Sequence, residues 1–294
     1  MQKIAVIGAT GMVGRPVTEE LIKAGFEVTV VTRNLQKGAR MFPGANVVFG
    51  DIFKTVTLVK ALTGQDAVYI SLSTLPENGR KGLQPEREGI DNIVKAARAN
   101  KLKRIIYLSS LVKNYNITHR FGFWVFNIKL EAVERIKRSG IAYTIFNPSS
   151  FYENFDHALL RENHIVLGGE SKTKMWFIGG EDYGRTVVAA LQNNVAVNKD
   201  FIVQGPVSYT WHEAASVFAE NYKKKHLKIK KASMKLLKFM SYLSTKSAIT
   251  ANTFEALNNY NEKFESEITW HDLHHPKITL EEYALKQSRK RDDD

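Results

Sequence analysis

The 294-residue chain has no cysteine, which excludes disulfides and thiolate metal sites outright and is compatible with a reducing compartment. Nor does it have an apolar run near the roughly 18 residues that a spanning helix needs, so no membrane span is expected. Its first apolar run is reached by Ile4 with no basic leader before it, and the expected setting is the cytosol. What is present suits a globular protein with a sizeable core: 44% of residues are hydrophobic and 11% aromatic. Such a length accommodates one large domain, or a large domain carrying a smaller lobe. The formal net charge is +12, and much of the excess sits in the segment Lys223–Met240.

Short β-branched runs alternate with helix-period segments from Lys3 to Phe146. The strand candidates are Ile4–Ile7, Glu27–Val31, Asn46–Phe49, Ala67–Ser71, Ile105–Leu108 and Tyr143–Phe146. Most are continuously apolar, as expected of parallel strands covered on both faces. Helical patterns lie between them, clearest at Val13–Ala24, Pro85–Ala99 and Phe126–Arg138. This order predicts an α/β fold, a doubly wound parallel Rossmann sheet. Gly25, Asn100 and Gly140 fall where helices should stop, each tolerating a left-handed cap. Beyond Pro148 the pattern loosens into aromatic-rich loops, strand-like runs at His164–Leu167 and Lys174–Ile178, a helix over Asp182–Gln192 and a strand at Phe201–Val203. The division expected is residues 1–148 as a nucleotide-binding domain and 149–294 as a smaller, mostly helical substrate-side lobe, interleaved with the sheet.

The stretch "KIAVIGATGMVGRPVTEELIKAG" places Gly8, Gly11 and Gly14 directly after a strand and at the opening of a helix. In that context Gly8 allows a tight turn, Gly11 lets a pyrophosphate approach bare backbone, and Gly14 lets the helix pack closely on the sheet. The free N–H groups and positive end of the helix then face the phosphates. One more absence selects among dinucleotides. In "FEVTVVTRNLQKG" no acid stands at the end of the second strand, where NAD-specific sites hold a ribose hydroxyl. Arg33 stands there instead, about 20 residues beyond the last glycine, and a guanidinium can grip a 2′-phosphate bidentately. Lys37 and Arg15 could add positive charge. NADP is the expected cofactor.

With "GATGMVG", "VTRN", Gly50–Asp51, "YLSS" and "KLEAVERIKRSGIAYTIFNPSSFYENF", the sequence resembles the atypical short-chain dehydrogenases. Within them it looks most like the NmrA-like and isoflavone-reductase-like branch, over about residues 1–195 and more loosely the helix at Thr210–Tyr222. The resemblance implies that Thr10, Gly11, Met12 and Val13 line the diphosphate and Arg33 meets the 2′-phosphate. It further implies that Asp51 and Ile52 flank the adenine and that Leu72 and Ser73 pass beneath the cofactor. Lys129 would bond the nicotinamide ribose, and Pro148 with Phe151 would border the nicotinamide. Classical members of the superfamily carry Tyr-x-x-x-Lys, the lysine lowering the phenol's pKa for proton exchange. Here the position four before Lys129 is Val125. The usual hydroxyl after the fifth strand falls on Ser110 or, in a shifted alignment, on Leu111. Lys129 is therefore expected to act as general acid itself or through a water, its pKa depressed by an apolar helix surround.

Phe121, Phe123, Trp124 and Phe126, with Phe151, Tyr152 and Phe155, either wall a pocket for a flat apolar acceptor or pack between sheet and lobe. "WHDLHHPK" reads as an exposed histidine-rich linker rather than a metal site. The segment Lys223–Met240 reads as a small-lobe helix with its apolar side inward, ahead of a helix on an anionic surface or a nucleic-acid patch; nucleic acid is not an expected partner. "QSRKRDDD" reads as a frayed terminus. Two functions lead, ahead of an isomerase-like or nucleotide-sugar activity: an NADP-dependent reductase of a small apolar carbonyl, quinone or conjugated double bond, and a non-catalytic sensor that reports NADP(H) state to a protein partner.

Overall fold

The structure, a computed structural model, describes residues 1–289. Seven strands form one parallel sheet: β1 (Lys3–Ile7), β2 (Glu27–Thr32), β3 (Asn46–Phe49), β4 (Ala67–Ile70), β5 (Arg104–Leu108), β6 (Tyr143–Pro148) and, after an excursion, β9 (Lys199–Val203). Their order is β3-β2-β1-β4-β5-β6-β9. The chain runs outward from β1 to β3, then crosses back to β4 on the other side of β1, so the switch point lies between β1 and β4. Ligands of such sheets bind there, beyond the strands' carboxyl ends.

The apolar runs are continuous because both faces are covered. Helices α1 (Gly14–Lys23) and α7 (Gly180–Gln192) bury Val17, Leu21, Val187 and Leu191 on one face, and α2 (Leu35–Met41) flanks its edge. On the other, α3 (Thr55–Ala61), α4 (Ile90–Ala99) and α6 (Trp124–Lys137) bury Leu58, Ile93, Val133 and Ile136. Helix α5 (Tyr115–His119) is a short turn before α6. The predicted helix over Pro85–Ala99 opens with a wider turn, Pro85–Gly89, closed by Gly89 N on Gln84 O. That turn brings Glu86 into the interior.

The excursion holds β7 (Leu160–Arg161) and β8 (His164–Gly168), which form a second sheet with β10 (Lys228–Ala232) in the order β10-β8-β7. Around them pack α8 (Trp211–Asn221) and α12 (Leu280–Arg289), closing a core on Phe155, Phe177, Trp211 and Phe218. Between them α9 (Met234–Met240), α10 (Thr245–Asn259) and α11 (Glu267–Asp272) complete the chain.

Several expectations need correcting. The left-handed residue after α4 is Lys101, not Asn100, which caps the helix with φ −90°. Lys174–Ile178 is no strand; it makes only single bridges, Met175 to Tyr209 and Ile178 to Phe151. Five residues of the basic segment, Lys228–Ala232, form the strand β10, an exposed edge paired with β8. Gln287–Arg289 continue α12 rather than fray, Ser288 accepting from Lys223 N; the rest of the expected frayed tail, residues 290–294, lies outside the described residues.

Candidate functional site: the carboxyl edge of the sheet

The glycine turn is built so that side chains cannot enter it. Gly8 has φ +90°, and a Cβ there would lie 1.9 Å from Ser71 O; one on Gly14 would lie 2.0 Å from Gly8 O. At Gly11, which is exposed, the nearest atom would be Gly8 O at 3.2 Å. Gly8 and Gly14 thus bring β1, β4 and α1 together, while Gly11 keeps the outside bare. The bonds that close the turn are Gly11 N to Gly8 O and Arg15 N to Gly11 O, and the N–H groups of Met12 and Val13 have no partner among the described residues. With Thr10 they face the start of α1, where helix geometry favours an anion. Thr10, Gly11, Met12 and Arg15 also line a cavity of about 550 Å³ that reaches Lys37 and Met41 of α2.

Arg33 stands just past β2, exposed and in no ion pair among the described residues. Asn34 caps α2 by accepting from Lys37 N, which fixes the loop that carries the guanidinium. Arg15 is instead held by Glu19 at 2.9 Å. Asp51 and Ile52 follow β3. The Asp51 carboxylate accepts from Phe53 N, and Ile52 packs over Gly89. This end of the edge has the cations and the bare backbone that a phosphorylated adenosine needs.

The other end is polar beneath its surface. Lys129 reaches from α6 to Glu86 Oε1 at 2.6 Å, and the Tyr107 hydroxyl donates to the same oxygen at 2.6 Å. The ammonium is therefore engaged by a carboxylate, not isolated in the apolar surround that the sequence suggested. Burial, and then the Glu86 charge, hold the Tyr107 phenol well above its ordinary pKa, so it remains a donor. Lys113 lies beside them. It is buried, donates to Asn147 Oδ1 at 2.5 Å and to Ser110 O at 3.1 Å, and is lowered to about 8 by burial and then by the charge of Lys129. Sequence reading passed over Lys113, Glu86 and Asn147. The available signal was that Lys113 follows the carboxyl end of β5, where site residues of such sheets collect.

Three buried oxygens here have no partner among the described residues: Ser109 Oγ, Thr74 Oγ1 and Glu86 Oε2. Buried polar atoms are rarely left so, and Ser109 and Thr74 follow β5 and β4, at the switch-point side of the sheet. Leu72 and Ser73 lie between Thr74 and β4, Ser73 exposed and Leu72 packed on the core. The hydroxyl buried at the end of β5 is thus Ser109, one residue before the expected Ser110.

Pro148 and Phe151 are buried, Phe151 packing edge-on to Tyr183 at 5.3 Å. The aromatic groups are mostly core. Tyr152 and Phe155 belong to the core with Phe177, Trp211 and Phe218, and Phe123 and Phe126 cluster with Tyr115, Val125 and Ala256 of α10. Val125, the position where the superfamily's tyrosine would stand, is thus buried in an apolar cluster that also takes in Ala256 of α10. The histidine segment is a strap rather than a linker. His274 bonds Asp182 at 2.9 Å, and Trp270 stacks on His275 at 4.2 Å.

The pattern of the NAD(P)H-binding family matches residues 8–194, and the chain belongs to that family. A photosystem II assembly factor, Ycf39 of Guillardia theta, is 28% identical over 260 residues, spanning 86% of this chain and 81% of the relative. Two solved structures share the fold over 97% of this chain and 99% of theirs, at 21% identity. They are an NADPH-dependent quinone oxidoreductase of Escherichia coli complexed with NADPH, TM-score 0.75, and a triphenylmethane reductase of Citrobacter sp. complexed with NADP(H), TM-score 0.74.

Proposed function

We propose that this member of the NAD(P)H-binding family is an NADP(H)-dependent reductase of a small apolar acceptor: a carbonyl, a quinone or a conjugated double bond. The observation that carries this reading is the buried Lys129–Glu86–Tyr107 and Lys113–Asn147 cluster beside unpartnered Ser109, at the sheet edge away from the phosphate-binding turn. The glycine cradle and the two unpartnered hydroxyls fit a dinucleotide lying along the edge. Thr10, Gly11, Met12 and Val13 would hold its diphosphate, Arg33 its 2′-phosphate, Asp51 and Ile52 its adenine, and Leu72 and Ser73 its underside. Lys129 would bond the nicotinamide ribose, with Pro148 and Phe151 behind the ring. When bound, NADPH supplies the hydride.

The chain's own work is to position the acceptor and provide a proton. Lys129, tied to Glu86, keeps the ribose-facing role and stands as one proton donor. Lys113 is the other, with a pKa near neutrality that lets its ammonium give up a proton and regain it. The two are separable. Lys129→Met should weaken NADPH binding and turnover together, whereas Lys113→Met should lower turnover alone and remove a fall in rate above about pH 8, where Lys113 loses its proton. The test is substrate-dependent NADPH oxidation across a quinone and enone panel; no rate above background in the unmutated protein sinks the reading.

One set of observations favours a second reading, a sensor that reports NADP(H) state to a protein partner. An apolar Val125, buried in the cluster with Ala256 of α10, stands where the superfamily's phenol would, and one relative is named for assembly rather than for a reaction. If NADPH and NADP+ support association with a lysate partner equally, the sensor reading is lost.

A further inference from the structure

Between Glu220 and Glu255 the chain has nine lysines and no acid. The middle of this stretch is α9, and its packing is the reverse of an ordinary lobe helix. Met234 and Leu237 seat it on Gly169 and Gly168, which have no side chain to hold them off. The other apolar residues face away: Leu236 is 55% exposed, Phe239 66% and Met240 39%, and the turn that follows adds Tyr242 at 89% and Leu243 at 72%. Of the lysines around them, Lys238 is paired with Glu255 and Lys231 with Glu170. Lys228, Lys230, Lys235 and Lys246 have no ion pair among the described residues.

We propose that α9 and the turn to Lys246 form a docking surface for an anionic lipid bilayer, with the apolar side chains entering the interface and the lysines meeting lipid phosphates. A contiguous exposed apolar patch on a protein otherwise well packed marks a contact site. Its aromatic and aliphatic residues fringed by lysine have the composition of an interfacial helix. A second copy is the poorer occupant, because a two-fold interface sets a patch against itself and would bring lysines onto lysines. A folded acidic protein would need a groove deep enough for Tyr242 and Leu243, which touch almost nothing on their own chain; a fluid interface needs none. No helix among the described residues is long and apolar enough to cross a membrane, so the contact would be peripheral.

The test uses the full chain and large unilamellar vesicles of phosphatidylcholine, alone or mixed with phosphatidylglycerol, in a sedimentation assay. Binding is expected to the mixed vesicles and to fall with added salt. Phe239→Ser with Leu243→Ser should lower the partition coefficient about 100-fold, and each of Lys235→Glu and Lys246→Glu by at least about 5-fold. These side chains are exposed, so unchanged melting and NADPH binding would show that the variants fold. Equal binding to both vesicle types, no binding, or indifference to the variants overturns the proposal. So does a dimer in light scattering that Phe239→Ser dissociates, which would assign the patch to a second copy. None of these outcomes depends on whether the protein reduces anything.

Discussion

The central sheet and the C-terminal strap are held by different forces. In β4 and β5 every residue is buried, and each strand is bonded to neighbours on both sides. The strap that follows α10 owes its place to polar groups buried far from home. Glu262 accepts from Ser149 and Gln204, Ser266 and Thr269 both donate to Ile202 O, and Asp182 accepts from His274 and the backbone N–H groups of Lys277 and Ile278. Apolar layers tolerate exchange among side chains of similar volume, whereas a buried polar tie fails when one partner is removed. The first region should be sensitive to shape and the second to charge and pH.

The sharpest test of shape is at the glycine turn. Gly8→Ala should cost more than about 3 kcal/mol, because the backbone has positive φ and the added carbon would strike Ser71 O. Gly11→Ala should change stability by less than about 1 kcal/mol and instead weaken NADPH binding. Thermal melts beside cofactor titrations separate the two; a stable Gly8→Ala protein would show that the turn is looser than described.

In the strap the largest effect should come from Asp182→Asn. Burial works to raise the Asp182 pKa, but bonds from His274, Ile278 N and Lys277 N outweigh it and hold the carboxyl below its ordinary value. A depressed carboxylate contributes stability that is present above its unfolded pKa and is lost as pH falls through the folded one. The variant's amide oxygen can still accept from Lys277 N and Ile278 N, but its NH₂ is then set against His274 Nε2 and the Arg185 guanidinium, where the carboxylate oxygen stood. We expect a loss of about 3 kcal/mol at neutral pH, closing as both proteins are acidified. A constant gap in denaturant melts across pH would show that the Asp182 charge is not what ties the strap.

Arg33→Ala returns the comparison to the sheet edge with a binding effect and no stability effect. Losing a charge-assisted bidentate contact to a phosphate should reduce the preference for NADPH over NADH about 30-fold, with melting unchanged because Arg33 is exposed. Equal affinity of the unmutated protein for the two dinucleotides would refute the assignment.

The same contrast explains which parts were legible in the sequence. Continuous runs such as Ala67–Ile70 announce parallel strands because both faces are apolar, and Gly8, Gly11 and Gly14 announce a turn because their spacing is local. The turn at the glycine end of the candidate site was readable for that reason. The polar end was not, since Glu86, Lys113 and Asn147 come from three separate segments and only the fold makes them neighbours. His274 was misread as solvent-exposed because its partner lies 92 residues away, and α9 because no periodicity reveals that two glycines of β8 and the turn after it accept only one of its sides.

The smallest expected effect discriminates most finely, since Glu262 holds the same strap as Asp182 with the opposite sign. It is buried, and that burial raises its pKa despite the bonds from Gln204, Ser149 and Trp176 N. A carboxyl whose folded pKa exceeds the unfolded value binds a proton more readily when folded, so its contribution falls as pH rises through that window. Glu262→Gln should therefore cost less than about 1 kcal/mol near neutral pH. The amide oxygen can keep accepting from Gln204 and Trp176 N, while its NH₂ turns to Ser149 Oγ, a hydroxyl that accepts as readily as it donates. Denaturant melts from about pH 5 to pH 8 should show the variant gaining on the unmutated protein as pH rises. A penalty as large as that of Asp182→Asn would mean that Glu262 is ionised in the fold, and the strap would then rest on two charges instead of one.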